Sequence, residues 1–461
     1  MRAKNIAWVF VSALLAGCAT YRPLPLDSAQ RQEKLADITV PAASMPVPAL
    51  RAHRFDPSDG LDVTEVAMLA VANDPDLRSQ RDDLSVSRAQ AFAAGLLPDP
   101  DLSYEHDRPD PNQAEDTPAF NLGLTWNLGD LLTRSARVVS AKAGTRQVHL
   151  DLLWSEWQTI AQARTLFGKV YSLRALVARL QAEHDALAPI MQFVQRALKA
   201  GDLTYDSASA GLNAAADVDN KLVDAQGRLD QAEHDLHNLL GLDNSVVLHL
   251  VGPPYTVDPD PAQAKQALAQ MSRRRPDLLA LQAGYAAQEQ KLRAAVLAQF
   301  PAITVGFTRA RDTSDIHTSG FSVGLSLPMF DGNRGNIAIE RATRQKLHDE
   351  YEARLQADRN DVALLLKQVQ GFDAQLPAMR AHAVQLAKAR DAAQRAYDNG
   401  LLDWPTYLSI RASSLAADTD LLTAEQDADE QAIALDALVG AWPEAPTAGT
   451  DQEPWSAHER K

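Results

Sequence analysis

The chain repeats itself at a shift of about 200 residues, and this limits the folds open to it more than any other feature. Asn73-Asp74-Pro75-Asp76-Leu77 corresponds to Arg274-Arg275-Pro276-Asp277-Leu278. Each of these is followed by a helical stretch that ends at Leu97-Pro98 or Phe300-Pro301. Phe120-Asn121-Leu122-Gly123-Leu124 aligns without a gap on Phe321-Ser322-Val323-Gly324-Leu325, and Asp130 falls against Asp331. Further on, Arg196/Arg395, Gly201/Gly400, Leu203/Leu402, Leu222/Leu421, Leu236/Leu435 and Gly241/Gly440 coincide, again without gaps. Each half therefore reads helix, strand, strand, very long helix, turn, helix.

Two periodicities support that order. Phe120, Leu122, Leu124, Trp126 and Leu128 alternate with Asn121, Gly123, Thr125, Asn127 and Gly129. Ile303, Val305 and Phe307 alternate with Thr304, Gly306 and Thr308, and Phe321, Val323, Leu325 and Leu327 with Ser322, Gly324, Ser326 and Pro328. Leu102 and Tyr104 form a shorter version. Period two, apolar on one side and small or polar on the other, suits a strand between lipid and a wet lumen; a half-buried strand of a soluble sandwich has the same alternation. The long segments differ. Val170, Leu173, Val177, Leu180, Leu187, Met191, Val194 and Leu198 step by threes and fours, interrupted by His184. So do Val362, Leu365, Val369, Phe372, Leu376, Met379, Ala383 and Leu386, and the return stretches from Val218 to Leu239 and Ala417 to Leu438. This is a coiled-coil seam. From Asp130 to Gly201 such a helix spans ~100 Å, and Pro189 and Pro377 are expected to kink it or to mark joins between segments.

Composition excludes several classes. A net charge of -15 argues against nucleic acid. Beyond the amino terminus no stretch offers the ~20 unbroken apolar residues of a membrane helix, so any membrane crossing must use strands. Cys18 is the only cysteine, which rules out an internal disulfide framework or a cysteine metal cluster. It follows a basic segment (Met1 to Asn5), an apolar one (Ile6 to Leu14) and Leu15-Ala16-Gly17. That pattern is a secretory signal, residues 1–17. Its end resembles the lipobox of bacterial lipoproteins, which implies cleavage before Cys18 and a covalent lipid on its sulfur. Ala19 at the next position favours sorting to the outer membrane.

Four strands per chain cannot close a barrel, and an open sheet edge in lipid leaves unpaired backbone groups that cost several kcal/mol each. Identical copies must complete the wall, and three copies make ~12 strands, within the range of outer-membrane barrels. The fold class is mainly α with β: long antiparallel coiled-coil helices forming an α-barrel, plus four strands per protomer completing a 12-stranded β-barrel in a trimer. The expected organisation is an acylated arm (18–60), a first repeat (61–241, strands about 100–107 and 119–128), a linker (242–262), a second repeat (263–440, strands about 302–311 and 320–328) and a tail (441–461).

The lipobox, the duplicated order, Arg273-Arg274-Arg275-Pro276-Asp277-Leu278 and Leu327-Pro328-Met329-Phe330-Asp331-Gly332 resemble the outer membrane factor (TolC-like) family over roughly residues 60 to 440. Ala94 to Leu102 looks most like its heavy-metal-efflux branch. The resemblance implies a homotrimer in the cell outer membrane, reaching into the periplasm. It also implies a periplasmic adaptor and an inner-membrane pump of the RND type as partners. The channel would narrow at the periplasmic tip, where Gly201 and Gly400 end the long helices and suit a left-handed reversal. Asp202, Asp206 and Asp403 would build an acidic mouth there. They also suit helix starts, where acids complement the macrodipole. Family members often carry gating aspartates near the positions of Thr406 and Ser409, and neither residue is acidic here.

No phosphate loop or nucleophile elbow is present. His234 and His237 are expected at the surface and Trp154 and Trp157 in packing, and the Asp312–His317 segment reads as an external loop with no specific cation site. No enzyme activity, cofactor or metal is expected. The expected function is a passive exit duct of a tripartite efflux system. The alternatives are the exit duct of a type I protein secretion system and a non-conducting coiled-coil envelope lipoprotein, which has no need of four lipid-length strands.

Overall fold

The computed structural model describes residues 21–26, 35, 38–109, 117–254 and 261–439. The signal segment, Cys18, Gly440 and the tail lie outside them. In order come α1 (Val63–Asn73), α2 (Pro75–Gly95), β1 (Asp101–Asp107), β2 (Ala119–Asn127), α3 (Gly129–Ala200) and α4 (Tyr205–Leu239). The second half follows with α5 (Pro261–Arg274), α6 (Pro276–Leu297), β3 (Ala302–Arg311), β4 (His317–Ser326), α7 (Arg334–Asp398) and α8 (Trp404–Val439). No helix among the described residues is long and apolar enough to cross a membrane.

At 72 and 65 residues, α3 and α7 run roughly 108 and 98 Å. Pro189 and Pro377 lie inside them and are exposed. The expected joins are absent, since both helices continue as single elements through their prolines. Each ring lies on an exposed face of its helix, where the missing amide N–H costs least.

The seam positions are buried as their spacing requires. Val170, Leu173, Leu180 and Val194 are buried on α3, Val218, Leu222, Ala225 and Leu236 on α4, and Val362, Val369, Leu376 and Ala383 on α7. On α8 the single seam does not suffice: Ala432, Ile433, Leu435, Asp436 and Val439 are buried together. This helix packs against both α7 and α3, so it has two inward faces. Toward the reversals the helices lie in the order α4–α3–α8–α7; toward the sheet the order is α2–α3–α6–α7. Between these levels lies the largest apolar core, where α1 (Val66, Met68, Leu69) meets α3 (Trp157, Ile160, Phe167) and the end of α4 (Leu236, Leu239).

Near that core the expectation for His237 is overturned. It is buried, and its ring reaches the carbonyls of Glu233 (2.6 Å) and Val246 (2.7 Å), fastening the 241–250 segment onto α4. The spacing of His234 and His237 places one on the surface and one inward, and the loop that folds over His237 is invisible to helical periodicity. His234 stays exposed, bonded to Asn238 and Asn244.

Candidate functional site: the two faces of the sheet and the helical tip

The four strands form one antiparallel sheet in the order β1-β2-β3-β4. Its central pair, β2 and β3, joins the two halves. Directly paired residues share a face, so the register sorts the side chains. Leu102 pairs with Leu124, Leu124 with Phe307 and Phe307 with Phe321. The next rung holds Trp126, Val305 and Val323. Every apolar series of the four strands therefore lands on one side. The other side carries Ser103, Asn121, Gly123, Thr125, Thr304, Gly306, Thr308, Ser322 and Gly324. A Cβ at Gly306 would sit 2.5 Å from Ser322 Oγ, and one at Gly123 2.6 Å from Ser103 Oγ, so a side chain at either would make the paired serine turn away.

Beyond Trp126, whose indole N–H donates to Pro98 O (2.8 Å), the apolar side lies open in the protomer. Leu102, Tyr104, Leu124, Phe307, Phe321, Val323 and Leu325 are all exposed, Phe321 at 82%. The outer strands β1 and β4 are exposed along their whole length, and each presents a free edge. A sandwich would have buried one face. Among the described residues no second layer lies against either.

At the opposite end both reversals use a left-handed glycine, Gly201 (φ 81°) and Gly400 (φ 70°). The amide of Asp202 returns to Ala197 O (2.9 Å) and that of Leu401 to Ala396 O (2.8 Å), closing the two helices alike. Asp202 and Asp206 are exposed, and Asp206 lies in the first turn of α4. Asp403 is engaged differently: its carboxylate accepts from Thr406 N (2.9 Å) and caps α8. That bond holds its pKa below the ordinary carboxylate value. Thr204 does the same for α4, accepting from Ser207 N. Thr406 and Ser409 are exposed on the first turns of α8.

Just inside the tip lies a constellation that sequence reasoning missed. Arg411 of α8 grips Glu183 of α3 through two bonds, Nε to Oε1 (2.8 Å) and Nη2 to Oε2 (2.6 Å). Its third nitrogen donates to Tyr407 Oη (2.7 Å), and Tyr407 also bonds Gln394 and stacks on Tyr397 at 4.6 Å. Both charged side chains are only 11% exposed. Arg179–Asp418 (3.0 Å) continues the stitching between the same helices. The available signal was the break in the α3 seam around Glu183 and His184. Helical spacing alone does not name a partner 228 residues away.

The Arg-Arg-Arg-Pro-Asp motif also acquires a role. Arg275, wholly buried, donates to Asp277 (3.0 and 2.5 Å), lies 3.2 Å from Asp358 and covers the Trp154 ring at 4.8 Å. Arg354 joins both aspartates. Burial raises the pKa of Asp358, and the two arginines oppose that shift. The cluster ties α6 to α7 and α3. It is a packing device.

Residues 267–441 match the model of the "Outer membrane efflux protein" family. The chain is similar to outer membrane protein OprJ of Pseudomonas aeruginosa, 28% identical over 38% of this chain and 39% of that one. It is also similar to the pyoverdine export outer membrane protein OpmQ of the same organism, 23% identical over 90% of this chain and 92% of that one. A third relative is the cation efflux system protein CusC of Escherichia coli, at 24% identity over 66% and 67%. A crystal structure of CusC superposes with a TM-score of 0.67, 19% identity, and coverage of 86% of this chain and 97% of that one.

Proposed function

We propose that this chain, which belongs to the outer membrane efflux protein family, is one protomer of a passive exit duct that crosses the outer membrane and extends into the periplasm. One observation carries the reading: a four-stranded sheet whose apolar face and two edges are all uncovered. In water such a face and such edges invite aggregation. In lipid the face is satisfied, and the edges require further strands. β4 of one copy completes β1 of the next, and three copies close a barrel of ~12 strands with Ser, Thr, Asn and Gly toward the lumen. The same rotation brings α4 of one protomer against α7 of its neighbour at the tip level. The chain is read as two repeats, residues 61–241 and 263–440, on an arm acylated at Cys18.

Nothing in this design requires catalysis; the chain supplies a path and its partners supply energy. A periplasmic adaptor and an inner-membrane pump of the RND type deliver the solute. Among the described residues the polar strand face holds hydroxyls, amides and glycines with the carboxylates of Asp101, Glu105 and Asp107 spaced along β1, and no metal-ligand cluster lies on it; the cargo is read as chosen upstream. At the tip, Arg411–Glu183 and Arg179–Asp418 hold the two hairpins together, and their opening is the natural way to widen the passage. Asp202 and Asp206, repeated by threefold symmetry, place negative charge at its mouth.

Native mass measurement in detergent tests the assembly, with a trimer expected and a well-folded monomer overturning it. Cysteine labelling in proteoliposomes tests the faces, since the one native cysteine is the expected lipid anchor. Leu124→Cys should react only with a membrane-soluble reagent, and Thr125→Cys with a small impermeant one. The reverse pattern would turn the sheet inside out.

A further inference from the structure

The rungs of the apolar face do not stay apolar to their end. Beyond Leu124–Phe307–Phe321 comes Tyr104–Leu122–Arg309–Ser319, and then His106–Phe120–Arg311–His317. Same-face rungs are ~7 Å apart, so cationic and imidazole groups occupy a band of that height. This band is confined to the end of the sheet remote from the helices. Glu105 and Asp107 alternate onto the opposite face.

We propose that this band, with Arg309 at its centre, binds the phosphate groups of anionic lipid in the outer leaflet; the proposal rests on the lipid-facing reading of the sheet. An arginine pointing into hydrocarbon is costly and becomes tolerable only at the interface, so the step from Phe307 to Arg309 marks the depth at which headgroups begin. Phosphate is the complementary charge at that depth, and guanidinium is the group best shaped to grip it. Aromatic rings occupy the same level, as they do in interfacial belts. Tyr104 stacks on His106 at 6.4 Å, and Phe120 lies under the Arg311 guanidinium at 5.7 Å. The two arginines are not equivalent. Arg311 donates to Pro118 O (2.7 Å) and has Asp315 at 3.6 Å, so part of its charge is spent on the turn. Arg309 is exposed, and among the described residues no carboxylate lies within ion-pair distance of it. Its free fork makes it the residue to test.

The full-length trimer in detergent is titrated with diphosphoryl lipid A and, separately, with the dephosphorylated form, bound lipid being counted by native mass spectrometry. The expected result is preferential binding of the phosphorylated form. Arg309→Gln should weaken that binding about fivefold per site, while Arg309→Lys retains most of it. Equal affinity of the wild type for the two lipids, or an Arg309→Gln protein indistinguishable from wild type, overturns the proposal. Insertion of the same preparations into phosphatidylcholine vesicles separates the two levels. Wild type and Arg309→Gln should insert equally. If the wild type does not enter lipid at all, the duct reading fails, and this one with it.

Discussion

The two halves descend the same path through helix, strand pair and hairpin, yet they fasten themselves by different chemistry. At the start of the first half Asp74 caps α2 through Asp76 N (2.8 Å) and accepts from Thr159 (3.3 Å), neutral donors around one carboxylate. The equivalent position in the second half is Arg275, buried among Asp277, Asp358 and Trp154. The tips diverge similarly. Ala208 and Leu212 of α4 correspond to Tyr407 and Arg411 of α8, so the second hairpin carries the tyrosine–arginine lock and the first receives it on Glu183 of α3. A duplicated fold thus keeps its backbone plan where backbone geometry demands it and changes side chains where the halves must grip one another.

Arg275→Ala should produce the largest effect, a loss of about 3–5 kcal/mol, because two buried aspartates lose their buried counter-charge and keep only the half-exposed Arg354. Asp74→Ala should cost only about 1 kcal/mol, the usual value of a cap. Thermal unfolding of the two variants compares the junctions directly, and equal losses would erase the distinction drawn between them. Arg411→Leu installs the residue of the first half and leaves Glu183 part-buried and unpaired. A loss of about 2–3 kcal/mol is expected, together with raised conductance in planar bilayers. Unchanged conductance would remove this pair from any gating role.

The shared features should respond equally. Gly201→Ala and Gly400→Ala each force a side chain into a left-handed turn, with no other atom within 4 Å of the new carbon. Each should therefore cost about 1–2 kcal/mol of backbone strain. A large inequality would mean that the two reversals are not the same structure.

The smallest effect concerns Asp429, the counterpart of exposed Asp230. Burial, then the nearby Glu425, push its pKa up to about 6 against the opposing Arg380. The folded state then holds a proton between about pH 4 and 6 that the unfolded chain has lost. Stability contributed by this group is present at acid pH and declines as pH rises through that window. Asp429→Asn should flatten this slope; parallel urea titrations at pH 5 and 7 make the check.

Much of this was open to a reader of the residues alone. Period two in the strands and alternating steps of three and four in the helices are local physics, set by where consecutive side chains point, and the repeat doubled every such signal. Left-handed reversals at Gly201 and Gly400 follow from the absence of a Cβ, and an uncloseable four-stranded sheet follows from counting edges. What remained hidden depends on residues distant in the chain. Periodicity finds the face of a helix, but it cannot show that α8 has two partners, that His237 lies beneath a loop, or that Arg411 finds Glu183. Nor does alternation within one strand fix its register against the next. Only the paired sheet aligns four apolar series on one side and brings Arg309 and Arg311 together at its far end, because the pleat dictates direction along a strand while hydrogen bonding between strands dictates level.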